Sequence, residues 1–451
     1  MRPDVEARLL ARAARAQAEG RVPSLTAGVV QDGELTWSAG RGVVDGSRPD
    51  ADVQYRIGSI TKTLTAVLVM RLRDEGLLRL DDPVERLAPG TPFGQRTVAQ
   101  LLAHTSGITA ESPGLWWERT AGGDWEALAA ATAAHDVKHA AGTRFHYSNL
   151  GYGVLGRVVE GLRGRSWAGC VRAEILEPLG MRRTSTMPEA PAAPGLAVHP
   201  WADLVLPEPG NDHGAMAPAG QLWSTVEDLA RYARVFLGAA PEVLSPATVQ
   251  EMSVPGGVDE RPSGWSAYGL GLQVHRDADG RTLIGHGGSM PGFLASFLVD
   301  PAERTASVVL ANTTAGLDMS IGTDLLATLR ELDPYVVPEW APATDAPEAV
   351  LELLGLWHWG PAPLALRLLG DGMLELVAFR GRGRESRFRR EGQAWRGLDG
   401  YYAGETLRAV RREDGSVSHL DLATFVLTRG PYAPDDVQPG GIEPPGWRTS
   451  G

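Results

Sequence analysis

Ser59-Ile60-Thr61-Lys62-Thr63-Leu64-Thr65-Ala66-Val67-Leu68-Val69-Met70-Arg71-Leu72-Arg73-Asp74-Glu75, closed by Gly76, is the stretch whose reading decides the rest. It predicts a helix over 59–75. The middle of that helix is apolar on every side, as in a helix buried on several faces. Ser59 and Lys62 stand three residues apart, so they share one face and the amine reaches the hydroxyl. A serine hydroxyl is a weak nucleophile until a neighbouring base activates it. A lysine serves as that base when burial or nearby positive charge lowers its pKa. The Ser59 N–H, at a helix N-terminus, also faces a developing oxyanion. Read alone, the same letters equally describe a serine helix cap and a surface charge.

The rest of the chain singles out Lys62. Lysine occurs twice, at Lys62 and Lys138, among 43 basic residues, which leaves 41 arginines. Arginine holds its proton in proteins, whereas a buried lysine gives one up. A lysine retained in so arginine-rich a chain marks a task arginine does not perform. The 451 residues are 43% hydrophobic and 22% charged, an ordinary globular composition. The net charge of −12 argues against nucleic acid as a partner and gives no attraction to acidic membranes. A single cysteine, Cys170, excludes an intramolecular disulfide and a cysteine-rich zinc cage. No signal-peptide core or membrane-spanning run is apparent, so a cytoplasmic location without membrane contact is expected.

Periodicity and turn residues set the organisation. Residues 3–19 predict an amphipathic helix. Ser24–Gln31 and Glu34–Ser38 predict a hairpin across Asp32-Gly33. Residues 80–180 read as helical segments, and a further helix spans about Thr225 to Leu237. Strands follow at Leu270–His275, Arg281–His286, Phe293–Val299 and Thr305–Ala311. An α+β domain is therefore expected over 1–333, an antiparallel sheet flanked by helices with a helical subdomain. Four prolines mark a linker at 334–348. Seven short strands between Leu364 and Thr428 predict an all-β barrel in a second domain, 349–451, which ends in a Pro/Gly-rich tail.

Two further motifs bear on chemistry. In Tyr147-Ser148-Asn149 an extended backbone turns a phenolate and an amide toward one cavity, or else the pair is a buried tyrosine and an asparagine cap. His286-Gly287-Gly288-Ser289 ends a predicted strand. Its glycines admit a close backbone approach to a ligand, and the Ser289 N–H is a second oxyanion donor. The bland reading is a strand-end turn with an exposed histidine. Trp116, Trp117 and Trp125 line a substrate cleft or pack beneath a loop.

In that order, 88 and then 139 residues apart, S-x-x-K, Y-x-N and H-G-G resemble the penicillin-binding-protein and class C β-lactamase-like superfamily of serine enzymes. His104-Thr105-Ser106-Gly107, Glu177-Pro178-Leu179-Gly180-Met181 and Pro218-Ala219-Gly220 strengthen the likeness. The resemblance implies that Ser59 is acylated and that Lys62 and Tyr147 share general-base and general-acid work. It implies that Asn149 binds the substrate amide and that the Ser59 and Ser289 N–H groups form the oxyanion hole. It makes H-T-S-G a structural turn. The third motif of β-lactamases begins with lysine, which helps bind the substrate carboxylate. Here His286 stands in its place, as in related esterases and acyltransferases.

The layout further resembles stand-alone thioesterases of nonribosomal peptide assembly, which carry a lipocalin-like C-terminal domain. That likeness implies a peptidyl thioester on a carrier protein, transfer to Ser59 and head-to-tail macrocyclisation by the peptide's own amine. His286 would then be a catalytic residue, and Gly287 and Gly288 would border the substrate. Arg448, in the tail, would bind a polar group of the peptide, unless the tail is simply disordered. The alternative is an esterase or D-stereospecific aminopeptidase with water as acceptor. A ligand sensor would predict a broken Ser-Lys-Tyr set, and all three residues are present. No metal or organic cofactor is implied, because serine, lysine and tyrosine suffice.

Overall fold

The computed structural model describes residues 1–433 except 92, 94, 133–136, 262, 263, 278, 338, 341–345 and 371. Two compact units divide the chain, Met1–Tyr335 and Val336–Gly451.

In the first unit, helix α1 (Pro3–Glu19) leads into the hairpin β1 (Ser24–Gln31) and β2 (Glu34–Gly42), and helix α2 spans Thr61–Asp74. A helical region between carries α3 (Asn149–Arg163). After the short α4 (Ala217–Gly220) and α5 (Val226–Phe236) come six strands and α6 (Ile321–Leu332). The strands are β3 (Gly257–Arg261), β4 (Gly264–Tyr268), β5 (Gln273–Arg276), β6 (Thr282–Met290), β7 (Phe293–Asp300) and β8 (Thr305–Ala311). All eight join one antiparallel sheet in the order β2-β1-β8-β7-β6-β5-β4-β3. The first hairpin thus continues the sheet beside its last strand, as Leu25 opposite Ala311 records.

The sheet divides two cores by the period of two along its strands. Val309 and Ala311 of β8 face Leu9, Ala13, Leu325 and Leu329 of α1 and α6. Ala306, Val308 and Leu310 face the opposite core, which holds α2 and α5. Eleven of the fourteen residues of α2 are buried, Thr61 to Met70 without interruption and then Leu72. Its polar members find partners: the Tyr232 hydroxyl donates to Thr63 Oγ1 at 3.0 Å, and Thr65 Oγ1 donates to the Pro218 carbonyl at 3.0 Å.

Three readings change. The third motif does not end a strand; it lies inside β6, whose ladder to β7 runs through Met290 opposite Phe293. Its glycines do not break the strand, because β7 pairs along the whole motif and holds it in register. The hairpin β3–β4 has no counterpart in the expected strands. The barrel has eight strands, not seven: β9 (Gly355–Trp359), β10 (Ala362–Leu368), β11 (Leu374–Ala378), β12 (Ser386–Glu391), β13 (Ala394–Gly397), β14 (Thr406–Arg411), β15 (Val417–Leu422) and β16 (Phe425–Leu427). They pair in chain order. His358 and Thr428 then exchange backbone hydrogen bonds of 2.7 and 3.0 Å and nearly close the barrel. Trp357, Leu376, Phe388 and Leu420 fill its interior.

Leu9→Ala empties the seam between α1 and α6 and should cost about 3 kcal/mol, read as a lower urea midpoint for the first unit. Leu10→Ala, on the 41% exposed side of the same turn, should stay within about 0.5 kcal/mol of wild type.

Candidate active site

Backbone strain and close packing place Ser59. It sits in a single tight turn, Gly58–Ile60, that runs directly into α2. Gly58 has φ +52°, where a side chain is strained, and a Cβ there would come within 2.7 Å of the Ser289 backbone nitrogen. A Cβ on Gly288 would come within 2.0 Å of the Ile57 carbonyl oxygen. These two glycines let β6 lie directly against the turn that carries the nucleophile. The Ser289 N–H is thereby brought beside the residue preceding Ser59, and the two backbone donors border one site. The close approach expected of a ligand to Gly288 is made instead by the protein's own backbone.

Lys62 is fully buried. Its Nζ stands 3.0 Å from Ser59 Oγ and donates to the Ala219 carbonyl at 2.6 Å. Burial lowers its pKa to about 7, against the opposing pull of Glu111 and Glu118. A neutral amine here keeps one N–H on Ala219 and turns its lone pair to the Ser59 proton.

Tyr147 completes the group. Its segment is clamped onto the loop 104–111. The His146 N–H donates to the His104 carbonyl at 2.8 Å and the Ser148 N–H to His104 Nδ1 at 3.0 Å. The Ser148 hydroxyl donates to the Thr109 carbonyl at 2.6 Å. The Tyr147 ring packs on the His104 ring with centroids 4.1 Å apart and lies 5.0 Å from Lys62 Nζ. Burial raises its phenol well above the ordinary range, against the opposing influence of Ser59. Tyr147 is therefore a phenol at neutral pH, not the expected phenolate, and the base role falls to Lys62. Ser148, not Asn149, caps α3, accepting from the Gly151 N–H at 3.0 Å.

His286 is not exposed. It is 1% accessible and points into the sheet side of the site. Its Nδ1 faces the Gly287 carbonyl, so that nitrogen carries the proton, and Nε2 accepts from the Tyr268 hydroxyl at 2.9 Å. Burial, then the nearby Lys62, lower its pKa to about 3, so it is neutral. Both nitrogens are engaged and none is left for the Ser59 proton. The expected catalytic role thus becomes a supporting one beside Tyr147, whose ring centroid is 6.2 Å away. The Gly287 N–H is likewise committed, donating to Gln273 Oε1 at 2.9 Å. Arg448 lies outside the described residues.

Glu111, Glu118 and Tyr268 were not singled out from the sequence. Asn149 Nδ2 donates to both carboxylate oxygens of Glu111 at 2.9 Å, and Trp117 Nε1 donates to Glu111 Oε2 at 2.7 Å. Trp116 Nε1 donates to Glu118 Oε2 at 2.9 Å. Both carboxylates act on Lys62. Trp117 is buried and Trp116 exposed, so one tryptophan packs within the wall and the other lies on its surface. Glu111 follows H-T-S-G by four residues, and nothing in its pattern marks it as different from a solvated loop acid.

A family model described as Beta-lactamase matches residues 9–329, and one described as Domain of unknown function (DUF7586) matches residues 346–429. Penicillin-binding protein 4 of Amycolatopsis lactamdurans is 32% identical over 366 residues, which cover 75% of this chain and 94% of that protein. The octameric penicillin-binding protein homologue from Pyrococcus abyssi superposes with TM-score 0.64 at 25% identity, covering 94% of this chain and 99% of its own. SurE solved with D-Leu superposes with TM-score 0.59 at 28% identity, covering 95% of this chain and all of its own.

Turnover should rise about tenfold per pH unit below a pKa of about 7 and then level off, because only the neutral amine takes the Ser59 proton. A rate flat from pH 5 to 8 would remove Lys62 as base. Lys62→Arg keeps the charge without the base and should lower kcat/KM by roughly 10²–10⁴-fold. Gly288→Ala drives β6 off the nucleophile turn and should cost about 10²-fold in kcat, with the folded circular-dichroism spectrum retained.

Proposed function

Because the chain belongs to the β-lactamase family and is a serine hydrolase of that fold, we propose that it takes a peptide from a thioester onto Ser59 and releases it as a ring. Ser59 Oγ attacks the thioester carbonyl as its proton passes to Lys62 Nζ. The oxyanion collects on the Ser59 and Ser289 N–H groups. The carbon–sulfur bond breaks, and the thiolate takes a proton relayed through the Tyr147 hydroxyl. The peptide's N-terminal amine then attacks the ester carbonyl. Its proton returns through Lys62 and Tyr147, and Ser59 leaves as the alcohol with the cyclic amide formed.

The observation that carries the acyl-enzyme step is the 3.0 Å contact between Ser59 and a buried, near-neutral Lys62. Two features support a thioester over a peptide with a free C-terminal carboxylate. His286, where β-lactamases carry lysine, is neutral and turned onto Tyr268. Glu111 and Glu118 add negative charge at the site. A carboxylate beside the scissile bond is repelled, whereas a neutral thioester is not. The likeness to SurE extends over 95% of the chain, and that structure was solved with D-Leu. It supports a peptide donor with a D-residue at the thioester position; delivery on a carrier protein belongs to the same proposal.

Linear peptidyl thioesters with a free N-terminal amine, and a D- or L-residue at the thioester, should give product lacking only the thiol by mass spectrometry. Linear acid across the whole set would replace cyclisation by hydrolysis, the esterase or D-aminopeptidase reading. Ser59→Ala should abolish both products.

A further inference from the structure

The second unit gathers its positive charge in one stretch. Phe379-Arg380-Gly381-Arg382-Gly383-Arg384-Glu385-Ser386-Arg387-Phe388-Arg389-Arg390 holds six arginines against one acid. The rest of residues 346–429 holds six arginines against ten acids, in a chain whose net charge is −12. The stretch forms the turn after β11 and most of β12. Along β12 the side chains alternate. Ser386 and Phe388 are buried in the barrel, while Arg387 and Arg389 stand outside. The barrel core thus holds these arginines on its outer face.

The fold itself uses few of these charges. Arg387 pairs with Asp399 at 2.6 Å. Arg389 instead stands opposite Arg396 of β13, and like charges facing each other weaken a ladder. Arg380, Arg382 and Arg389 have no acid and no hydrogen-bond partner among the described residues. Arg384 lies over aromatic rings. Its guanidinium carbon is 3.9 Å from the Tyr401 centroid, 5.0 Å from that of Phe425 and 5.1 Å from that of Trp359. Its Nη1 is buried without a hydrogen-bond partner. The rings attract that cation but do not neutralise it.

We propose that this arginine face of the barrel is the docking surface for the acidic side of the protein that carries the thioester. The choice of occupant rests on the thioester reading given above. Its chemistry follows from charge and from where the patch ends. Guanidinium groups bind carboxylates in pairs of hydrogen bonds. A compact acidic surface meets six arginines within twelve residues and extends no further. A long nucleic acid or a lipid surface spreads its phosphates past the patch onto the ten acids around it, where like charges repel. The exposed rings of Phe379, Trp359 and Tyr401 add apolar contact beside the arginines, as at the core of a protein interface.

The test is binding of the full chain to an isolated, acidic holo carrier domain, read by fluorescence anisotropy of the labelled carrier. Raising salt from about 0.01 M to about 1 M cuts the reach of charge from about 30 Å to about 3 Å. It should weaken binding by at least about tenfold. Arg382→Glu with Arg389→Glu should do the same at low salt. Arg8→Glu with Arg48→Glu, at exposed arginines of the first unit, changes the net charge equally and should leave binding as in wild type. Acylation of Ser59 from a peptidyl thioester of a small thiol, read by intact-protein mass, should be equal in all three proteins. Intact acylation with no carrier binding, or with both double variants binding alike, overturns the docking surface and leaves the Ser59 chemistry standing. Single-stranded RNA or phosphatidylserine vesicles bound through Arg382 and Arg389 more tightly than the carrier also overturn it. No acyl-enzyme from the small thioester overturns the thioester reading, and this occupant with it.

Discussion

An amine on the second residue of a fully packed helix is the constraint from which the rest of the site follows. Lys62 has no access to water, and an ammonium in that position loses hydration that few neighbours replace. Its two close partners are the Ser59 hydroxyl and the Ala219 carbonyl. The histidine and tyrosine rings around it carry no charge at neutral pH. Burial keeps His104 and His286 deprotonated and Tyr147, Tyr152 and Tyr268 protonated. The neutral shell makes the lysine the one buried basic group poised to exchange a proton with Ser59.

That chemistry is useful only if the oxyanion donors sit opposite the base, and this depends on backbone approach. Gly58 and Gly288 face each other's segments at distances no side chain tolerates. The sheet and the nucleophile turn are thus one rigid body, with β6 lying against Gly58–Ile60 and α2 rising from it. The strand edge carries Ser289 to the nucleophile, while the same strand's His286 points back into the aromatic cluster. A motif of four residues therefore serves two faces: one sets the Ser289 N–H against the turn that carries Ser59, and the other packs His286 between Tyr268 and Tyr147.

The parts legible in sequence were those written in local spacing. Ser59 and Lys62 announced themselves by a helical interval of three and by the scarcity of lysine. The strands β1, β7 and β8 were bounded by turn residues and found nearly to the residue. What escaped depended on contacts between distant segments. His286-Gly287-Gly288 looks like a strand end because glycine weakens a strand, yet β7 pairs with all three, Phe297, Ser296 and Ala295 standing opposite them. Strand β9, which lies between the expected linker and the first expected barrel strand, becomes a strand only because Ala362–Leu368 and Thr428 pair with it on either side. Tyr268 gains its role from a histidine eighteen residues on, and Glu111 from an asparagine thirty-eight residues away. The partners in each pair stand on separate elements, so no local period relates them.

The two carboxylates explain why burial and proton transfer coexist. Burial alone drives an amine toward permanent neutrality, and a permanently neutral lysine is too weak a base to hold the serine proton. A carboxylate in direct contact would restore the ordinary value near 10.5 and leave the amine charged, without a lone pair for Ser59. Glu111 and Glu118 do neither. They act on Lys62 by charge alone, each tied to a tryptophan N–H and Glu111 also to Asn149. The result is an amine near neutrality, able both to take a proton and to return it. Arginine, which supplies nearly every other positive charge in this chain, has no such intermediate state, and this is the physical reason for a lysine at position 62.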